Sequence, residues 1–188
     1  EYDKDHFIPD AGDTYRVNMN GNALELSVPP HEHPVTTGES GVTWQPIGSE
    51  EALQNITNTS GEPAYYYLTK DIELNAAWNP ASGVVLDLNS HSITAKEAFD
   101  TIIIGDGISF TLTDCKGGSE DGNYGSVTHY QPPNPTKSRV SGHGVYVSSG
   151  GSFTMYGGCI GPNLMNVVDV PGAGVYVAEG AKFTMLGG

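Results

Sequence analysis

The sequence predicts an all-β chain whose larger part is built from stacked repeats, and three observations carry that reading. The stretch Gly142–Gly158 reads GHGVYVSSGGSFTMYGG, and thirty positions later Gly172–Gly188 reads GAGVYVAEGAKFTMLGG. From Tyr65 onward the apolar runs are short, about four or five residues, and each is followed by Gly, Asn, Asp or Ser. The composition is turn-rich, with 25 Gly and ten Tyr in 188 residues and only 16% charged residues. Self-similarity at a period of roughly 20–50 residues marks a repeat architecture, and short runs punctuated by turn residues mark strands. The low charge and high glycine content argue against both disorder and a helical bundle.

Taken in order, the first element is a hairpin. Tyr15, Val17 and Met19 alternate before Asn20-Gly21, and Leu24, Leu26 and Val28 alternate after it; Asn-Gly between alternating runs is the strongest short-range hairpin signal. A lone hairpin is marginal in water and needs something to pack on. Pro29–Gly41 then reads as a linker, with three prolines and small polar residues. Ser49–Ile56 fits one short helix: Ser49 as N-cap, Glu50 and Glu51 in the electropositive first turn, Leu53 and Ile56 as the buried side.

Short strands follow from Tyr65, and Thr101–Cys115 (TIIIGDGISFTLTDC) proves to be a third, degenerate copy of the repeat. Ile102 to Ile104 fall on Val145 to Val147, Gly107 on Gly150, and Ser109 to Thr111 on Ser152 to Thr154. Each copy is strand, glycine turn, strand, and no copy can bury its apolar face alone. Stacking buries Val145, Val147, Phe153 and Met155 against Val175, Val177, Phe183 and Met185. The expected organisation is a hairpin and Pro-rich linker over 1–45 and a repeat domain over 46–188, with the array continuing past Gly188.

Several function classes are excluded at this stage. Eight basic against 22 acidic residues leave a net charge of −14, which repels nucleic-acid phosphates and anionic lipid. No run of about 18 apolar residues is present, so membrane insertion is not expected. Cys115 and Cys159 are too few for a disulfide framework and suit no zinc site; whether they pair depends on whether their copies are neighbours, with buried thiols expected.

The stretches YYYLTKDIELNAAW, VVLDLNSHSIT, FTLTDC and GVYVxxGxxFTMxGG resemble the β-helix regions of large surface proteins from gut-dwelling Gram-positive bacteria. The resemblance covers about Val42 to Gly188 and implies the right-handed parallel β-helix of the pectate-lyase-like superfold. In that group the segment before the helix often carries His with Cys; here His31 and His33 stand without one.

Outward positions on stacked strands line up about 4.8 Å apart, so Tyr146 and Tyr176 form one column and Thr111, Thr154 and Thr184 another. Such residues also simply suit a pleated surface and pair with their own copies. Lys116–Arg139 interrupts the repeat and is expected to bulge from it, offering Tyr124, His129, Tyr130 and Arg139. Asp121 and Asn123 match the start of a calcium loop, but its Gly-x5-Glu remainder is missing, so no metal or other cofactor is expected. The eight basic residues do not repeat on adjacent copies as a lyase would need. Asp71, Asp87 and Asp114 are 16 and 27 apart and share no register; Asp87, between Leu86 and Leu88, is expected to point outward. The reading is a rigid stalk or adhesin module at the outside of a bacterial cell, monomeric within a longer chain. It would bind a host or dietary glycan through Tyr124, His129, Tyr130, Tyr146 and Tyr176. A polysaccharide lyase or glycoside hydrolase on the same scaffold is the alternative.

Overall fold

The structure, a computed structural model, describes residues 16–20, 23–27, 42–117, 124–130, 142–161 and 173–188. The chain divides into two compact units, 1–43 and 44–188. In the first, β1 (Arg16–Asn20) pairs antiparallel with β2 (Ala23–Ser27), from Asn20↔Ala23 to Arg16↔Ser27. The pairing includes Asn20, which the Asn-Gly signal had placed in the turn. The linker Pro29–Gly41 lies outside the described residues.

Among the described residues of the second unit, the regular elements are almost all strands. The unit opens with β3 (Gln45–Ile47) and α1 (Glu50–Gln54), then β4 (Ala64–Leu68), β5 (Ile72–Leu74), β6 (Val84–Asp87) and β7 (Ser92–Ala95). There follow β8 (Ile102–Ile104), β9 (Ser109–Thr113), β10 (Ser126–Thr128), β11 (Val145–Val147) and β12 (Ser152–Met155). The last are β13 (Cys159–Ile160), β14 (Val175–Val177) and β15 (Lys182–Met185). Three parallel sheets result: a six-stranded one in the order β15-β12-β9-β6-β4-β3, a four-stranded one, β13-β10-β7-β5, and a three-stranded one, β14-β11-β8.

From β6 to β15 the chain visits the six-, four- and three-stranded sheets in the same cyclic order. Parallel neighbours need a long crossover, and here the crossover of each sheet consists of strands of the other two. The alignment of copies read from the sequence is the pairing register: Ile102↔Val145↔Val175 and Phe110↔Phe153↔Phe183.

Residue alternation explains which side faces in. In β8, β11 and β12 alternate residues (Ile102 and Ile104, Val145 and Val147, Phe153 and Met155) are buried and the intervening ones half-buried. Trp78 meets Phe110 edge-on at 5.3 Å, Phe110 stacks on Phe153 at 5.8 Å, and Phe153 on Phe183 at 5.2 Å. An aromatic file therefore runs through the apolar interior. Val145, Val147, Phe153 and Met155 are buried as expected, while of their counterparts Val175 and Phe183 are half-buried and Val177 and Met185 are exposed. The turn between the strands of each copy places Gly107, Gly150 and Gly180 at φ 70°, 78° and 78°, a left-handed conformation that costs glycine least.

Helix α1 forms as its sequence dictates. The Ser49 side chain accepts the Ala52 N–H at 3.1 Å, Glu50 and Glu51 lie in the first turn, and Leu53 and Ile56 are buried. The helix lies against β5: the Glu50 carboxylate accepts the Asn75 backbone and side-chain N–H groups, and Gln54 donates to Ala76 O. Those Asn75 hydrogen bonds, the backbone one first, hold the Glu50 carboxyl below its ordinary pKa.

Two expectations are corrected. The segment after Cys115 was expected to project as a loop, yet Ser126–Thr128 is strand β10, inserted between β7 and β13, and its Val127 is fully buried. Asp87 was expected to point outward, yet it is wholly buried, because β6 is buried at all four of its positions where the chain turns into Leu88 and Asn89. Among the described residues no helix is long and apolar enough to cross a membrane.

Candidate functional site

The repeat fixes the main surface feature. In β11 and β14 the two valines of each Val-Tyr-Val point one way and the tyrosine the other, and Tyr146 pairs with Tyr176 in register. Their rings stack 5.2 Å apart at an interplanar angle of 7°. A third ring joins them: His143 lies 4.9 Å from Tyr176 and 6.0 Å from Tyr146, tilted 22° and 29°. Two backbone bonds hold it there. The His143 N–H donates to Asp100 Oδ1 at 2.8 Å, and its ring Nδ1 accepts the Ala173 N–H at 2.9 Å. With Nδ1 engaged as acceptor, the ring proton of neutral His143 resides on Nε2. Tyr176 is 44% exposed, so the cluster offers aromatic faces and a phenol to a ligand on a rigid parallel sheet. Sequence reasoning singled out the two tyrosines and did not choose His143, whose ring is placed by its bond to the Ala173 N–H.

The other expected ligand contacts do not join this cluster. Tyr124 is exposed and lines an apolar hollow with Cys159, Ile160 and Met185. His129, just after β10, is only 5% exposed, and Tyr130 is half-buried beside it. Inserting β10 draws this part of the chain inward instead of presenting it. Arg139, Glu120, Asp121 and Asn123 lie outside the described residues, as do His31 and His33. Thr111, Thr154 and Thr184 do stand in register. The four-stranded sheet adds hydroxyl pairs that were not anticipated: Ser92 with Ser126 and Thr94 with Thr128, each at 3.0 Å.

The acidic residues weighed as catalytic candidates serve the backbone instead. Asn89 and Ser90 adopt left-handed φ values of 51° and 65°, which swings their N–H groups toward the carboxylates. Asp87 Oδ1 accepts the Asn89 and Cys115 N–H groups at 2.8 and 2.9 Å. Asp114 takes the Ser90 N–H on Oδ1 and the Gly125 N–H on Oδ2, both at 2.7 Å. The Asn89 side chain donates to Leu68 O. Both carboxylates thus tie down the backbone where the chain leaves β6 and β9. Burial raises the Asp114 carboxyl pKa against its hydrogen bonds, and burial followed by the nearby Asp87 charge pushes the Cys115 thiol far up. Asp71 is exposed, accepts the Ser92 N–H at 2.8 Å and sits 3.6 Å from His91. Cys115 and Cys159 form no disulfide; Cys115 is half-buried and Cys159, expected to be buried, is exposed at the end of its sheet. Among the described residues no group of three or more His, Cys, Asp or Glu is placed to hold a metal ion. Comparison of the chain with protein-family models, with curated proteins and with solved structures found no match.

Proposed function

We propose that residues 44–188 are a right-handed parallel β-helix acting as a rigid stalk or adhesin module at the outside of a bacterial cell. We further propose that the His143–Tyr146–Tyr176 face holds neutral glycans of host or dietary origin. The cyclic return of the chain to three parallel sheets supports the helix, as does the resemblance to surface proteins of gut Gram-positive bacteria. The observation that carries the ligand reading is the ring cluster itself. Stacked aromatic faces suit the apolar faces of sugar rings, and an exposed phenol supplies a hydrogen bond to hydroxyls. A net charge of −14 disfavours sulfated or uronate-rich chains and so selects uncharged ones.

Each such contact is weak, so useful affinity comes from many copies displayed on one surface. The test is retention of the protein, immobilised at high density, on arrays of neutral mucin-type and plant glycans. Tyr176→Ala should reduce retention, while Tyr124→Ala, outside the cluster, should leave it unchanged. Equal retention by wild type and Tyr176→Ala would overturn the assignment of the site, and absence of retention on every neutral glycan would leave the stalk role alone. Release of new reducing ends or unsaturated sugars by the repurified protein would favour the enzyme reading.

A further inference from the structure

Identity between copies puts two phenols side by side. Tyr146 and Tyr176 each stand at the centre of a Val-Tyr-Val strand, and β11 pairs with β14 in parallel with the flanking valines also in register, Val145↔Val175 and Val147↔Val177. Identical side chains repeated along a parallel ladder present the same atoms to each other. The two rings accordingly lie 7° from parallel with their centroids 5.2 Å apart, so the carbons beside the two phenol oxygens face each other across the gap between strands. On the other side of Tyr146 the register partner is Ile103, so the phenols of this column form a pair. His143 stacks against both and closes one flank.

Access and proximity single out this pair. Tyr176 is exposed and Tyr146 half-buried, so an oxidant in solution reaches the pair through Tyr176. Tyr124 and Tyr156 are exposed as well, but among the described residues neither stacks on another ring. Adjacent strands of a sheet are about 4.8 Å apart, within the span of a cross-link between two tyrosine side chains. Reactive groups held at such a distance meet as an intramolecular pair at a high effective concentration, whereas Tyr124 or Tyr156 needs a second chain.

We propose that Tyr146 and Tyr176 are a site of oxidative modification, coupled into a dityrosine that staples β11 to β14 when a haem peroxidase acts on the chain with hydrogen peroxide. Each phenol gives up one electron and its O–H proton, leaving a phenoxyl radical whose unpaired electron is shared with the ring carbons beside the oxygen-bearing one. The two unpaired electrons form one C–C bond between the facing carbons. Each of those carbons then loses its hydrogen as a proton while each oxygen regains one, restoring both aromatic rings and both phenols. In total two electrons and two protons leave the chain; hydrogen peroxide takes them up as its O–O bond breaks, giving two waters. The new bond fixes the pairing of β11 with β14 covalently, so the two copies cannot separate under load. The inference rests on the pairing register and the ring geometry, and not on the glycan reading.

To test this, the purified full chain is treated with a haem peroxidase and hydrogen peroxide, and the monomer is isolated. The treated monomer should show the blue fluorescence of dityrosine. Cleavage before Asp169 separates Tyr176 from Tyr146 in the untreated chain; after treatment the two peptides should stay joined, lighter by two hydrogens than their sum. Tyr146→Phe and Tyr176→Phe keep the ring and its stacking, and each should abolish both signals in the monomer, whereas Tyr156→Phe should leave them in place. A monomer that gains no cross-link overturns the proposal, as does a cross-link that survives either of the first two variants, or fluorescence confined to covalent dimers. Because glycan retention is read separately on the untreated protein, either idea can fail without the other.

Discussion

Asp114 is pulled in two directions. Backbone N–H groups of Ser90 and Gly125 favour its charged form, yet burial disfavours that form more, and the net result is a raised carboxyl pKa. A raised folded-state pKa means that the folded chain binds the proton more tightly than the unfolded one. Its stabilising contribution is thus fully present below the unfolded carboxylate value, about pH 4, and is lost as pH rises through the folded value. Glu50 acts with the opposite sign: its pKa is lowered by Asn75, so its contribution is present above about pH 4 and lost on further acidification. The two effects fall in different windows and can be separated. In urea unfolding at steps from pH 7 down to about pH 4, wild type should gain stability relative to Asp114→Asn as the pH falls. A difference that stays constant, or that grows toward pH 7, would show that the hydrogen bonds outweigh burial at this residue.

The strand pair of each copy is the element that carries most of the packing. Phe153 lies between Phe110 and Phe183 with no exposed surface, so Phe153→Ala should cost about 3–5 kcal/mol in denaturant unfolding. Phe183→Ala, at a half-buried ring with one stacked neighbour, should cost clearly less; equal losses would mean that the file does not pack as a graded series. This file was legible in the sequence because alternation and identity between copies reinforce each other. Helix α1 was legible for a local reason, since Ser49, Glu50, Glu51, Leu53 and Ile56 encode cap, dipole and buried face within eight residues. β10 was not legible, because Ser126-Val127-Thr128 has a single apolar residue and becomes a strand only through pairing with β7 and β13, distant in sequence. Asp87 was misread for a related reason: strict alternation fails where β6 runs into a turn that needs a buried acceptor for backbone N–H groups. The tyrosine column was legible as a register, whereas the place of His143 in it depends on the ring-to-backbone bond to Ala173, which no spacing announces.

Among the described residues of 44–188, each strand is hydrogen-bonded into its sheet by the strands before and after it. Stability then approaches a sum of nearest-neighbour terms, and local opening should follow position in the stack. β6, β9 and β12 each have partners on both sides, whereas β3, β14 and β15 each have one partner strand. Native-state hydrogen exchange should therefore be slowest at amides of β6, β9 and β12 and fastest at those of β14 and β15, with β11 and β8 between them. The exposures point the same way, because Val177 and Met185 give up far less apolar surface on opening than Val147 and Met155 would. Phe153→Ala should widen the gradient, speeding exchange in β15 and β12 well before β4 responds. If all these strands instead exchange at one common rate, and Phe153→Ala shifts them together, the unit opens all at once and the nearest-neighbour account of its stability fails.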